Sequence, residues 1–77
     1  MDEHKDIEVQ RLFGEQLARQ RKKLGWSQEK LSLESGIARS YLGGVERGQR
    51  NIALVNICRL AAAMGIKPEK LMEFKPK

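Results

Sequence analysis

Residues 27–51 read SQEKLSLESGIARSYLGGVERGQRN, and this stretch decides the fold. Ser27 has the side chain of a helix N-cap, and Lys30 stands where a capping box would carry Glu or Gln. A helix is therefore expected from Gln28 to about Ser35. Gly36 follows, where the backbone needs a left-handed turn. A second helix is expected within Ile37–Arg47. Counting Gln28 as position one, Leu31 is apolar at four, Ser32 small at five and Gly36 at nine. Ile37, Leu42 and Val45 are apolar at ten, fifteen and eighteen. The small residue lets two helices approach, and the apolar set seats the second on a core. This is the pattern of a helix-turn-helix, at about 27–47, whose second helix enters the major groove of DNA.

Outward from the motif, the chain reads as helix throughout. Val9, Phe13, Leu17 and Leu24, with Leu12 beside them, recur at helical spacing and predict a first helix over Ile7–Leu24. Arg21, Lys22 and Lys23 suit its C-terminus, and Gly25 ends it. Residues 1–6, MDEHKD, are expected to fray. Trp26 should pack over the start of the next helix. After a loop at Gly48–Ile52, a helix is expected from about Ala53 to Met64. Leu54, Ile57, Cys58 and Ala61 would form its apolar face, extended by Leu60 and Met64, and Asn51 would supply its cap. Gly65 stops it, and Pro68 opens a last short helix to about Glu73. The fold class is all-α: one compact domain over 1–77, with five helices.

The bulk numbers limit the partners. The 77 residues carry 15 Lys and Arg against 10 Asp and Glu, a net charge of +5, which suits a polyanion as well as a plain solvated surface. Apolar residues make up 40% and aromatics 5%, so the core must be aliphatic. The four aromatics, Phe13, Trp26, Tyr41 and Phe74, are too dispersed for a single-strand stacking platform. Cys58 is alone and is expected to be a buried, inert thiol. His4 is the single histidine, so no metal site or Cys–His pair is expected. Paired carboxylates and a phosphate-cradling glycine loop are also missing, so neither enzyme activity nor a cofactor is expected. No apolar run reaches membrane-span length and no signal peptide is visible, which predicts a cytoplasmic protein, free or on the nucleoid.

The exposed face of the second motif helix supplies the candidate contacts. Arg39 and Ser40 open it, where side chains reach base edges. Arg is the usual partner of guanine O6 and N7, although Arg39 could also touch phosphate alone. Tyr41 offers its ring to a thymine methyl, its hydroxyl to a phosphate, or only packing. Gly43 and Gly44 each cost a helix about 1 kcal/mol relative to Ala. Their bareness suggests close approach to the groove at Gly44 and readout through DNA shape, or simple local softness. Arg47, Gln49, Arg50 and Asn51 make a basic, polar loop suited to a phosphate backbone. Ile66, Leu71, Met72 and Phe74, with the outer side of the fourth helix, either build a dimer interface or close the monomer core.

SQEKLS, then SGIARSYLGGVERGQRN, resembles the phage-repressor-like class of five-helix helix-turn-helix regulators, also called lambda-repressor-like, from about Val9 to Phe74. RSYL and VERGQRNI look most like the controller proteins of restriction-modification systems. The resemblance implies an ion pair between Arg21 and Glu46, a phosphate clamp at Gln28, and base as well as phosphate contacts for Arg50. It implies a homodimer on a palindromic double-stranded operator, with RNA polymerase as a further partner. A controller would bind before its own gene and the endonuclease gene, activating at low occupancy and repressing at high. The alternatives are an antitoxin, which would bind a toxin protein, and another small phage-type repressor.

Overall fold

The computed structural model describes residues 3–76, with side chains from residue 5 onward. These residues form α1 (Glu3–Lys23), α2 (Gln28–Ser35), α3 (Arg39–Glu46), α4 (Leu54–Met64) and α5 (Pro68–Leu71), with no strand among them. No helix is long and apolar enough to cross a membrane.

One core joins all five helices. Phe13 and Leu17 come from α1, Leu31 from α2, and Leu42 and Val45 from α3. Leu60, Ala61 and Met64 come from α4 and Leu71 from α5, with Ile37 from the turn before α3. Trp26, Tyr41, Ile52, Ile57, Ile66 and Phe74 pack around it. The Phe13 and Phe74 rings meet edge to face at 6.5 Å, fastening the C-terminal segment to α1. Gln16 reinforces this join, its Nε2 donating to the Lys70 carbonyl at 2.7 Å.

The turns follow from local chemistry. Ser27 Oγ accepts the Lys30 N–H at 3.0 Å, so Ser27 caps α2. Gly36 lies at φ 72°, and its N–H returns to the Ser32 carbonyl. Ser32 Oγ also donates to the Ile37 carbonyl, so the small polar residue ties the two motif helices together. At the end of α1, the Trp26 N–H returns to the Arg21 carbonyl at 3.2 Å.

The placement of α1 against α3 depends on two glycines. A Cβ on Gly14 would stand 2.2 Å from the Val45 carbonyl oxygen and 2.8 Å from that of Glu46. A Cβ on Gly48 would stand 2.8 Å from the Arg11 Cα. The backbones of α1 and the end of α3 therefore touch directly, which fixes the height and tilt of α3.

Several expectations need correction. The helical backbone of α1 begins at Glu3, so residues 3–6 extend the helix rather than fray. Met1 and Asp2, and the side chain of His4, lie outside the described residues. Leu24 is exposed, being beyond the last helical turn. The apolar face of α4 is rotated from the expected one. Leu60, Ala61 and Met64 are buried and Ile57 half-buried, whereas Leu54 is 75% and Val55 67% exposed. Cys58 shares their stripe and is exposed, not buried. Asn51 does not cap α4: the N-cap is Ala53, which has no side-chain bond to give. α5 ends at Leu71 rather than near Glu73, with Pro68 in its first turn.

Gly14→Ala should destabilise the fold. Alanine gains about 1 kcal/mol in helix propensity, but overpacking against a backbone carbonyl typically costs 1–3 kcal/mol or more. A fall in melting temperature is expected. An unchanged value would show that α1 and α3 separate without cost.

Candidate nucleic-acid interface

The carboxylate of Glu46 stands where α1, α2 and α3 meet. Arg21 Nε donates to Glu46 Oε2 and Arg21 Nη2 to Oε1, both at 2.8 Å, forming a bidentate pair. The two side chains are only 10% and 7% exposed. Arg21 Nη1 donates to the Trp26 carbonyl at 2.7 Å, so the guanidinium also holds the turn before α2. Gln28 Nε2 donates to Glu46 Oε1 at 2.8 Å. Burial pushes the Glu46 carboxyl up. The hydrogen bonds from Arg21 and Gln28, with the Arg21 charge, outweigh it and hold the group below its ordinary range. Arg21 is raised, chiefly by its hydrogen bond to Glu46, against the lowering effect of burial. Both groups are ionised at neutral pH, and the carboxylate is neutralised where it adjoins the basic face.

That face gathers arginines from both ends of α3. Arg39, at its start, and Arg47, just after it, are exposed. A Cβ on Gly43 would meet the Nη1 of each at 3.1 Å and Gln28 Oε1 at 3.7 Å. Both guanidinium groups thus lie over Gly43, which is buried beneath them. Gly48 lies at φ 76°, with the Gly48 N–H returning to the Val45 carbonyl and the Gln49 N–H to that of Gly44. A positive φ is easy for glycine, and here it folds the following loop back along α3. Arg50 is carried over α3 by that turn. A Cβ on Gly44 would stand 2.9 Å from Arg50 Cγ and 3.4 Å from its Nε. The Arg50 guanidinium carbon lies 5.6 Å from the centre of the Tyr41 ring, a cation–π distance.

The sequence-derived candidates are distributed unevenly. Arg39, Ser40, Arg47, Gln49, Arg50 and Asn51 are exposed, and Tyr41 and Gln28 are half-buried. Gly44 is buried beneath the Arg50 stem rather than bare. Arg47 Nε donates to Gln49 Oε1 at 3.1 Å. Among the described residues, Arg39, Arg47 and Arg50 pair with no carboxylate. Of the four candidates near the C-terminus, Leu71 is wholly inside the core and offers no surface. Ile66 and Phe74 pack partly against the core, and Met72 is 49% exposed.

Two features escaped the sequence. Arg19 and Lys22 line an open groove with Gln28, Glu46 and Arg47, joining the end of α1 to the arginine face. Their three-residue spacing, which places them on one side of α1, was the available signal. Gly14 was the other, and a glycine inside a strongly helical stretch was its signal.

The family model described as helix-turn-helix matches residues 17–71. Control protein C.BamHI of Bacillus amyloliquefaciens is 39% identical over 67 residues, covering 86% of this chain and 83% of that protein. The crystal structure of the restriction-modification controller protein C.AhdI from Aeromonas hydrophila matches with a TM-score of 0.79 and 53% identity. That match covers 80% of this chain and 94% of the other. A Neisseria structure, the hypothetical transcription factor NHTF, matches with a TM-score of 0.80 at 35% identity, over 92% of this chain and 79% of that one.

Removing one side of the Arg21–Glu46 pair strands a desolvated charge, which typically costs about 3–5 kcal/mol. Arg21→Ala should therefore lower the melting temperature well below that of Arg19→Ala, whose side chain is exposed. Equal melting temperatures would remove the pair from the stability of the fold. The depressed Glu46 carboxyl also sets a pH dependence. Its stabilisation is complete above the ordinary value of 4.5 and is lost as pH falls through the lower folded-state value. Urea unfolding from pH 7 to pH 3 should show a steeper acid loss for the native chain than for Glu46→Gln.

Proposed function

The chain belongs to the helix-turn-helix family, and we propose that it is a sequence-specific transcriptional regulator of double-stranded DNA, the controller protein of a restriction-modification system. The observation that carries the reading is the arginine face of α3. Arg39, Arg47 and Arg50 are concentrated there without acidic partners, beside a Glu46 already neutralised by Arg21. A basic, exposed recognition helix with its one carboxylate internally paired suits a polyanion in the major groove.

The residues divide by role. Arg39, Ser40, Tyr41 and Arg50 reach base edges, with Gly44 admitting Arg50. Gln28, Arg47, Gln49 and Asn51 hold phosphates, joined by Arg19 and Lys22 in the groove beside them. Phosphate contacts fix register and supply most affinity, while base contacts discriminate. Gln28 Nε2 is bonded to Glu46, so its amide is pre-oriented at the start of α2. The protein binds DNA and does no catalysis. It acts in the cytoplasm and on the nucleoid, at the promoters of its own gene and the endonuclease gene, where RNA polymerase is its further partner.

One copy covers half a site, and a palindromic operator needs two recognition helices about 34 Å apart. The homodimer face we infer is the outer stripe of α4, Leu54, Val55 and Cys58, together with Met72. Leu54 and Val55 are the large apolar side chains that α4 leaves exposed, at 75% and 67%. Replacing Leu54 with Glu removes no core contact. Sedimentation equilibrium should find the native chain dimeric and Leu54→Glu monomeric at unchanged helicity. A dimeric Leu54→Glu would move the interface elsewhere.

Fluorescence anisotropy against duplex DNA from upstream of the chain's own gene, and against scrambled DNA, tests the function across a salt series. Tight, sequence-dependent binding of two subunits is expected. Gln28→Ala should weaken both duplexes alike, and Arg39→Ala should reduce the preference between them. A steep salt slope with no preference in the native chain would leave a basic protein without a code.

A further inference from the structure

We propose that Gly44 is a positioning residue for sequence readout. Its missing side chain forms the seat on which the Arg50 stem lies, so that the Arg50 guanidinium is held on the Tyr41 ring, aimed from α3 as a guanine reader. The inference rests on the function proposed above, in which Arg50 reaches base edges.

The geometry is specific to Gly44. A Cβ there would stand 2.9 Å from Arg50 Cγ, closer than real Cβ atoms approach a neighbour, with Nε at 3.4 Å and Cδ at 3.7 Å. Three consecutive heavy atoms of one side chain therefore follow the surface that glycine leaves bare. At Gly43, by contrast, a Cβ would meet only the terminal Nη1 atoms of Arg39 and Arg47, at 3.1 Å, and these ends can swing aside. The Arg50 Cγ is near the root of its side chain and cannot swing aside without lifting the whole stem. Beyond that stem, the guanidinium carbon lies 5.6 Å from the Tyr41 ring centre. Tyr41 precedes Gly44 by three positions on α3, so ring and seat share one helix face.

The chain supports this placement from the other side. The Gln49 N–H donates to the Gly44 carbonyl at 2.9 Å, so the residue that seats the arginine also anchors the turn that delivers it. Arg50 is exposed and has no carboxylate partner among the described residues. It is an arginine ordered by an aromatic face and a helix surface, with its charge unspent. A planar guanidinium fixed before binding forfeits less freedom when it forms the two parallel bonds to guanine O6 and N7. A Cβ at position 44 would free the arginine without removing it.

The test separates positioning from both charge and folding. Gly44→Ala places alanine in a helix interior, which favours the helix, so its melting temperature should equal or exceed that of the native chain. By NMR, the Arg50 side-chain protons should be shifted upfield by the Tyr41 ring in the native chain and return toward random-coil values in Gly44→Ala, without DNA present. The preference for operator over scrambled DNA should fall about tenfold or more in Gly44→Ala, toward that of Arg50→Ala. The double variant should discriminate no worse than Arg50→Ala alone. The salt slope of Gly44→Ala should stay native, because the charge is retained. An Arg50 resonance that stays upfield in Gly44→Ala as in the native chain, native discrimination by Gly44→Ala, or additive losses in the double variant would each overturn the proposal. Should Gly44→Ala fail to fold, Arg50→Lys keeps the charge and the stem but not the planar fork. It should lose discrimination with the salt slope unchanged, and native discrimination by Arg50→Lys would overturn the proposal equally. If the native chain itself shows no preference for the operator, the regulator reading fails, and the Arg50 resonance still reports on the seat.

Discussion

The Glu46 carboxylate ties α3 to the two helices beside it. Glu46 ends α3, yet its partners come from elsewhere: Arg21 from α1 and Gln28 from the first turn of α2. Arg21 in turn binds the Trp26 carbonyl, closing the link between α1 and the motif. An ion pair at this depth is not a cheap source of stability, because desolvation offsets much of the attraction. Its effect is geometric. The bidentate fork admits one orientation of α3 against α1, and the Gln28 amide fixes α2 to the same point.

The steric counterpart of that pair is the contact through Gly14 and Gly48. These two positions bring the α1 backbone against the last turn of α3, where any side chain would intrude. Leu42 and Val45 complete the seating from within the core. α3 is thus fixed by a charge pair at one edge, a backbone contact at another and apolar burial beneath. Its remaining face carries the arginines. A rigid mount of this kind matters for recognition, since side chains placed loosely on a groove lose the precision that discriminates bases.

Much of this was legible in the sequence, for local reasons. Ser27, Gly36, Leu31, Leu42 and Val45 declared themselves because caps, turns and helical spacing depend on neighbours a few residues away. Composition and periodicity were weaker guides where the question was which of two apolar faces turns inward. On α4, Leu54 and Cys58 share helical spacing with Ala61, and only the tertiary packing shows that the core takes Ile57, Leu60, Ala61 and Met64 instead. Leu71 posed the same problem near the C-terminus, where periodicity left interface and core open and the packing puts it fully inside. Residues 3–6 read as a polar tail because they carry no apolar signal. The Arg21–Glu46 pair, separated by 25 residues, was visible only through family resemblance. Gly44 was legible as an oddity but not as a seat, since its meaning depends on a turn at Gly48 that returns Arg50 to it.

The glycine pair also explains why α3 needs so much support from outside. It has eight residues, an N-cap at Ala38 without a side-chain bond, and two adjacent glycines in its interior. An isolated helix of that length is unstable in water even with good formers, and the glycines together cost about 2 kcal/mol more relative to alanine. Nothing on its exposed face repays this. The stability must come from the other side, through Leu42 and Val45 in the core, Glu46 in its fork and Gly48 against Arg11. The face offered to solvent is thereby relieved of any folding role and is occupied by arginines from both flanks. The residues on that face can vary without loss of the helix, because Leu42, Val45, Glu46 and Gly48 hold it from the opposite side.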